Sequence, residues 1–309
     1  MAVPPLECVP NVSEGRRPEV IARLTAAVSA SPGVRVLDVS SDPDHNRTVL
    51  TLAGDTDGLH AALLALYETA LAEIDLNRHR GVHPRVGAVD VVPFVPLGET
   101  PMAAAVAAAE RLAAEVARRF NLPVYLYERA ARHPGRTALA EIRRGGFEGF
   151  ADKIAQPDWI PDFGSARVHP TAGVTVIGAR FFLIAFNAVL ATPDVAIART
   201  IARQVRESGG GLPAVRAMGV YLASRDRAQV SMNLVDYRRT AVLRALDRVR
   251  EEAAALGTQV VETELIGLMP EAAALGVVQE ALQLPGLPPV LEARLRGSHL
   301  REESPGGPR

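Results

Sequence analysis

Twice in this chain a strand pattern is followed by a helix, two strands, a helix and a strand, all joined by short connections. In the first half the order runs through strand Leu6 to Val9, helix Pro18 to Ala30, strands Val34 to Ser40 and Thr48 to Ala53, helix Leu59 to Ile74 and strand Gly87 to Pro93. The helices are read from apolar spacing such as Leu63, Leu64, Tyr67 and Leu71, and the strands from β-branched runs such as Val34-Arg35-Val36. In the second half it runs through strand Phe182 to Val189, helix Val195 to Glu207, strands Val215 to Ala223 and Ala228 to Val235, helix Ala241 to Leu256 and strand Gln259 to Leu265. A doubly wound sheet alternates strand and helix one for one, whereas neighbouring strands joined by short turns form antiparallel hairpins. The order therefore predicts an α+β protein of two ferredoxin-like βαββαβ subdomains. An Ala-rich helix, Met102 to Arg119, and a short strand, Pro123 to Leu126, extend the first of them.

Between the repeats, Phe147 to Val174 carries the one tryptophan in Pro157-Asp158-Trp159-Ile160-Pro161-Asp162-Phe163-Gly164, then Arg167-Val168-His169-Pro170. It is too aromatic for a spacer and too rich in Pro and Gly for a regular element, so it reads either as an ordered loop lining a cleft or as a packed crossover without a ligand. The expected division is residues 1–178, 179–296 and a polar, Pro/Gly-rich disordered tail at 297–309. At 309 residues with 48% hydrophobic content and mean hydropathy +0.10, the chain suits a well-packed soluble protein. No apolar run is long enough for a membrane span and the first residues lack the pattern of a signal peptide, so the expected compartment is cytoplasmic. A net charge of -1 gives no general attraction to nucleic acid or to an anionic membrane, and any anion binding has to be local. Cys8 is the one cysteine and reads as a buried strand position rather than a nucleophile. Lys153 is the one lysine; base composition or thermal adaptation of the source accounts for the arginine bias, and no function follows from it.

The densest chemistry lies in Arg78-His79-Arg80-Gly81-Val82-His83-Pro84-Arg85-Val86-Gly87, between a helix and an apolar strand. Pro84 restricts His83 to extended backbone, and an imidazole that titrates near neutrality suits general acid and base work. Arg80 and Arg85, if close, favour its neutral, proton-accepting form. The other reading is a loop-packing histidine. His79, His83 and Asp90 have a metal-like spacing, but Gly81 and Pro84 oppose the helix that it requires, and no metal is expected. Asn11 to Gly15 opens the first helix, where backbone N–H groups receive either an anion or a capping side chain. In the turn Ser41 to Arg47, the Asp and Asn residues have reasons of backbone to be there. Arg47 does not; it reads as a bidentate grip on a carboxylate or as a solvated arginine. Gly209-Gly210-Gly211 reads as a helix stop rather than a phosphate loop, and Ser231-Met232-Asn233 as a strand that either presents polar side chains to a cleft or has one half-exposed face.

Taken together, Glu7-Cys8-Val9-Pro10-Asn11-Val12-Ser13-Glu14-Gly15, Asn46-Arg47-Thr48, Arg78 to Asp90, Pro123 to Tyr127, Asp158 to Gly164 and Gly178 to Asn187 resemble the glutamate formimidoyltransferase family, from about Leu6 to Pro270. The resemblance implies transfer of a formimino group from N-formimino-L-glutamate to tetrahydrofolate as co-substrate, giving 5-formiminotetrahydrofolate and L-glutamate, late in histidine breakdown. It implies two α/β subdomains whose sheets face each other across a folate-binding cleft, a homodimer, and the stand-alone form without the cyclodeaminase domain fused in animal relatives. His83 falls on the family's catalytic histidine. Gly164, Ser165, Ala166, Arg167, Val168, His169, Pro170, Thr171, Ala172 and Gly173 fall on its folate-binding loop, and Ser165 to His169 vary across the family. Asn11, Glu14, Asn46, Arg47, His79, Arg80, Arg85 and Asp90 become the expected substrate-binding residues, with Arg47, Arg80 and Arg85 facing the carboxylates of the two substrates. The small-molecule substrates include polyglutamylated folate as an open variant; no nucleic acid and no membrane partner is expected. A formyl donor at the same site and a non-catalytic folate-binding protein are the alternatives.

Overall fold

The computed structural model describes residues 5–288; the tail expected at 297–309 lies outside them. Along the chain come β1 (Leu6–Cys8), β2 (Asn11–Val12), α1 (Pro18–Ser29), β3 (Val34–Asp42), β4 (Arg47–Gly54), α2 (Thr56–Glu73), β5 (Val89–Pro96), α3 (Met102–Phe120) and β6 (Val124–Glu128). Two five-residue helices follow, α4 (Leu139–Arg143) and α5 (Phe150–Ile154), and then β7 (Thr175–Ala179). The rest is β8 (Ile184–Leu190), α6 (Val195–Val205), β9 (Val215–Leu222), β10 (Arg227–Leu234), α7 (Val242–Ala255), β11 (Val260–Ile266) and α8 (Glu271–Ala281). Contacts divide the chain into two compact units. One runs through Phe181 and takes in Val220–Arg227 and Ile266–Leu268; the other holds Phe182–Gly219, Ala228–Leu265 and the chain from Met269.

In the first unit β1 and β2 are one strand broken at Pro10, which has no N–H to give to a ladder. This strand lies between β4 and β5, antiparallel to both, and β3 pairs with the outer edge of β4. That arrangement is the ferredoxin-like order read from the sequence. Beyond it the sheet continues through β7 and β6, each parallel to its neighbour, to seven strands with β1 and β2 counted separately. Local signals set the helix ends. Pro18 opens α1, Asp55 accepts the Gly58 N–H at 2.7 Å at the start of α2, and Asn121 in left-handed backbone closes α3.

One face of this sheet packs on α1, α2 and α3 through fully buried side chains that include Leu24, Leu50, Leu63, Tyr67 and Phe94. Each such side chain contributes about 1.5–3 kcal/mol relative to exposure. On the other face, Val91, Tyr125 and Val176 are covered by Ile142, Phe150 and Ile154 of the short helices. Tyr125 and Phe150 meet edge to face at 5.4 Å. The connecting region is therefore packed structure: its α5, with α4 just ahead of it, covers β5, β7 and β6.

In the second unit the order β11-β8-β10-β9 is again that of a βαββαβ repeat. Its core holds Ile184, Ile201, Val205, Val230, Leu246 and Val249. Helix α6 ends at Val205, and Gly209 to Gly211 close the single turn Glu207–Gly209 that follows it rather than the helix itself: a side chain on Gly209 would meet the Arg203 carbonyl at 1.9 Å, and Gly210 has φ +82. Ser231, partly exposed, lies opposite buried Asn187, and along β10 Met232 is buried and Asn233 exposed. Among the described residues no helix is long and apolar enough to cross a membrane.

Candidate active site

Asn46, at the β3–β4 turn, ties three distant segments together. Its φ of 49 is left-handed, which asparagine tolerates better than most residues. In that position Oδ1 accepts the Gly15 N–H at 2.9 Å, Nδ2 donates to the Arg80 carbonyl at 3.0 Å, and its own carbonyl accepts from His79 Nε2 at 2.8 Å. The approach leaves no room for side chains: a Cβ on Gly81 would lie 2.3 Å from the His45 carbonyl, and one on Gly15 2.3 Å from that of Asp42. The Arg78–Gly87 loop is thus pinned beside the β3–β4 turn and the residues that follow β2.

Within this frame Arg47 Nη1 lies 2.8 Å from His83 Nε2. An arginine only donates, so Nε2 accepts, and the ring is neutral with its proton on Nδ1. The proton affinity of His83 is held well below its ordinary 6.5, first by burial, then by the charges of Arg47 and Arg143 and by His45 and His79. As a residue His83 stays partly exposed.

His79 is different. Its Nε2–H donates to the Asn46 carbonyl, and its Nδ1 accepts from Arg85 Nε at 2.9 Å. Both nitrogens are bonded within the chain. Burial lowers its pKa, partly offset by the Asn46 bond. Arg85 then forks onto Glu148 at 2.8 and 3.1 Å. Asp90 is buried and accepts the Val86 and Gly87 N–H groups at 2.7 and 3.3 Å, while its second oxygen pairs with Arg143. Glu14 closes the start of α1 by accepting from Arg16 and Arg17 N–H at 2.8 and 3.0 Å. Asn11 binds the Val9 carbonyl at 3.1 Å, and exposed Arg80 turns back onto the carbonyls of Asn77 and His79 at 3.1 and 2.8 Å.

Gly164 to Gly173 forms a loop closed by reciprocal His169–Gly173 backbone bonds of 3.0 Å. His169 Nδ1 accepts the Ala172 N–H at 3.0 Å, and burial lowers its pKa. The base of the loop is anchored by Leu76 N–H to the Thr171 carbonyl and Ala88 N–H to that of Ala172, at 2.8 and 2.9 Å. Both end glycines have positive φ, and Ser165 to Arg167 are exposed. A fixed base and an open tip suit a loop that meets a ligand with its outer residues.

Two side chains of this neighbourhood carry no signal in the expected set. His45 is buried with its ring 6.0 Å from that of His83; a histidine in an Asx-rich turn is the only hint. Arg143 reaches Asp90 across 53 residues of chain, and no local pattern announces it.

The first of the two α+β units thus carries a neutral histidine hydrogen-bonded to the guanidinium of Arg47. The chain belongs to the formiminotransferase family: residues 5–180 match the formiminotransferase domain, N-terminal subdomain, and 185–282 match the formiminotransferase domain. It is 43% identical to a glutamate formimidoyltransferase of Streptococcus pyogenes, over 90% of this chain and 93% of that one. Identity to a second, from Thermoplasma acidophilum, is 43% over 91% and 93%. A formimidoyltransferase-cyclodeaminase of Rattus norvegicus is 42% identical over 86% of this chain, a match that spans 50% of that longer protein.

Proposed function

We propose that this protein moves the formimino group of N-formimino-L-glutamate to N5 of tetrahydrofolate. Family membership and the two 43% identical formimidoyltransferases support the reaction. The observation that carries the chemistry is His83, neutral, with Nε2 as an acceptor and Nδ1 protonated. Folate N5 attacks the formimino carbon, and a tetrahedral intermediate forms. Its collapse breaks the bond to the glutamate nitrogen, which leaves carrying a proton. His83 takes the proton that N5 releases and returns one to the departing nitrogen, so the ring ends as it began. A proton affinity below neutrality keeps it ready to accept at pH 7.

Arg47 links binding to this step. Its guanidinium engages the lone pair that the reaction requires, and a substrate carboxylate that draws it away frees Nε2. Arg80, exposed beside the same loop, is the second guanidinium placed for a carboxylate. Asn11, Glu14, Asn46, His79, Arg85 and Asp90 shape the site, and the tip of the 164–173 loop is assigned to folate.

The test is a spectrophotometric assay of formimino transfer to tetrahydrofolate, with N-formylglutamate as a parallel donor. His83→Ala is expected to lower turnover on the order of 10²-fold or more while tetrahydrofolate still binds. Transfer from the formyl donor alone overturns the choice of donor, and undiminished turnover by the variant overturns the role of His83.

A further inference from the structure

Lys153, the one lysine of the chain, serves a helix end. From α5 its Nζ donates to the carbonyls of Glu141, Ile142 and Arg144 at 2.6, 2.9 and 3.1 Å. Helix α4 ends at Arg143, and the last carbonyls of a helix have no partner within it. A compact ammonium with three donors satisfies three carbonyls around one point, which a planar guanidinium does not match. The cation also lies over the Trp159 ring at 3.8 Å and the Phe150 ring at 5.4 Å. Burial pulls its pKa down from 10.5 to about 8, while the carbonyls and ring faces favour the charged form.

Arg143 sits between the clasped carbonyls. Its guanidinium pairs with Asp90, and Asp90 holds the N–H groups of Val86 and Gly87 just after His83. Arg143 Nε is buried without a hydrogen-bond partner, so this guanidinium is placed by Asp90 and by the backbone that carries it rather than by a full set of its own bonds. The groups bearing on His83 are Arg47 and His45 from the β3–β4 turn and β4, His79 from its own loop, and Arg143. Around them, Asp90 neutralises Arg143 in part, and Glu148 does the same for Arg85.

We infer that Lys153 is a positioning residue for the His83 site: by clasping the carbonyls on both sides of Arg143 it fixes that guanidinium against Asp90, whose other oxygen holds the backbone just after His83. The consequence for catalysis rests on His83 as proton carrier. The positioning itself does not.

The experiment follows the His83 ring by NMR titration of the full-length, histidine-labelled protein, with His83→Gln to assign the signal. The set is wild type, Lys153→Met, Lys153→Arg, Arg143→Gln and the double variant Lys153→Met/Arg143→Gln. Loss of the Arg143 charge is expected to raise the His83 midpoint by about one unit, Lys153→Met by about half to one unit, and Lys153→Arg by less. The double variant matches Arg143→Gln alone, because a residue that acts through Arg143 has nothing left to position. An unmoved midpoint in folded Lys153→Met, or full additivity with Arg143→Gln, overturns the inference. Should Lys153→Met not fold, an unmoved midpoint in Lys153→Arg with a lowered melting temperature overturns it equally. Absence of formimino transfer by the wild type removes the proposed function and leaves this result standing, since the titration needs no turnover.

Discussion

Replacing Arg47 by Met separates its two roles, carboxylate grip and electrostatic partner of His83. The guanidinium nitrogen is 2.8 Å from Nε2, which puts the two charge centres of the protonated state about 4 Å apart. At that distance like charges repel by about 4 kcal/mol at an effective dielectric of about 20 and by about 1 kcal/mol in bulk water. His83 keeps partial solvent access, so the cost lies between these limits. At about 1.4 kcal/mol per unit, Arg47→Met raises the His83 midpoint by about one to two units. Loss of the Arg47 hydrogen bond, which favours the neutral ring, acts in the same direction.

Two measurements read this out. Ring NMR gives the midpoint directly, and the acid limb of log kcat/KM against pH gives it through the reaction. Both move to higher pH in Arg47→Met. The plateau falls as well, by about 10- to 100-fold, if the guanidinium binds a substrate carboxylate with the strength of a charged hydrogen bond, about 1.5–3 kcal/mol. Arg47→Lys retains the charge and loses the fork, so its midpoint moves less than that of Arg47→Met while its KM still rises. A midpoint in Arg47→Met that stays in place or moves down refutes the reasoning, because burial alone would then set the proton affinity of His83.

Asp90→Asn keeps an acceptor for the Val86 N–H and removes the charge that faces Arg143; with both side chains largely buried, a loss of about 3 kcal/mol in denaturant melts is expected, and a loss under about 1 kcal/mol refutes the pair's importance. Gly87→Ala places a Cβ 2.0 Å from the Val174 carbonyl, so the backbone has to part; a melting temperature lowered by several degrees is expected, and an unchanged one refutes the close approach. His60, His79, His83 and His169 all have lowered proton affinity in the folded chain, so between those values and about 6.5 the unfolded chain binds more protons. Their contribution to stability is present above about pH 6.5 and falls as the pH drops below it. Melting temperatures from pH 7.5 to 5.5 decline accordingly, before the carboxylates titrate, and a flat or rising series counts against buried neutral imidazoles.

The two βαββαβ repeats were legible because their strands and helices are long enough to show a period, as in Leu63, Leu64, Tyr67 and Leu71 of α2. The added parts of the first unit were not. Strand β7, Thr175–Ala179, is buried throughout and so shows no alternation, and α4 and α5 are shorter than two helical turns. Arg143 is invisible for the same reason: it stands on an element without a pattern and finds Asp90 through the fold. Helix α8 follows Pro270 with a readable Ala-rich pattern and is absent from the sequence-based assignment all the same.

What the sequence shows least is the difference between two histidines four residues apart. His79 gives a proton to one carbonyl and takes one hydrogen bond from Arg85, which is itself forked onto Glu148. Adding a proton at Nδ1 would break the Arg85 bond and leave that guanidinium against a cation, so His79 is locked as a neutral strut. His83 gives Nε2 to Arg47, a partly exposed arginine on the neighbouring turn, and that partner is of a kind that an anionic substrate competes for. Residue type and loop are the same for both, and burial lowers the proton affinity of each. The tenancy of the ring nitrogens separates them, and it makes a sharp expectation: His79→Gln, which keeps a donor and an acceptor but no titratable ring, lowers stability more than it alters the pH dependence of turnover, while His83→Gln does the reverse. A pH profile reshaped by His79→Gln in a protein of undiminished stability would exchange the two assignments.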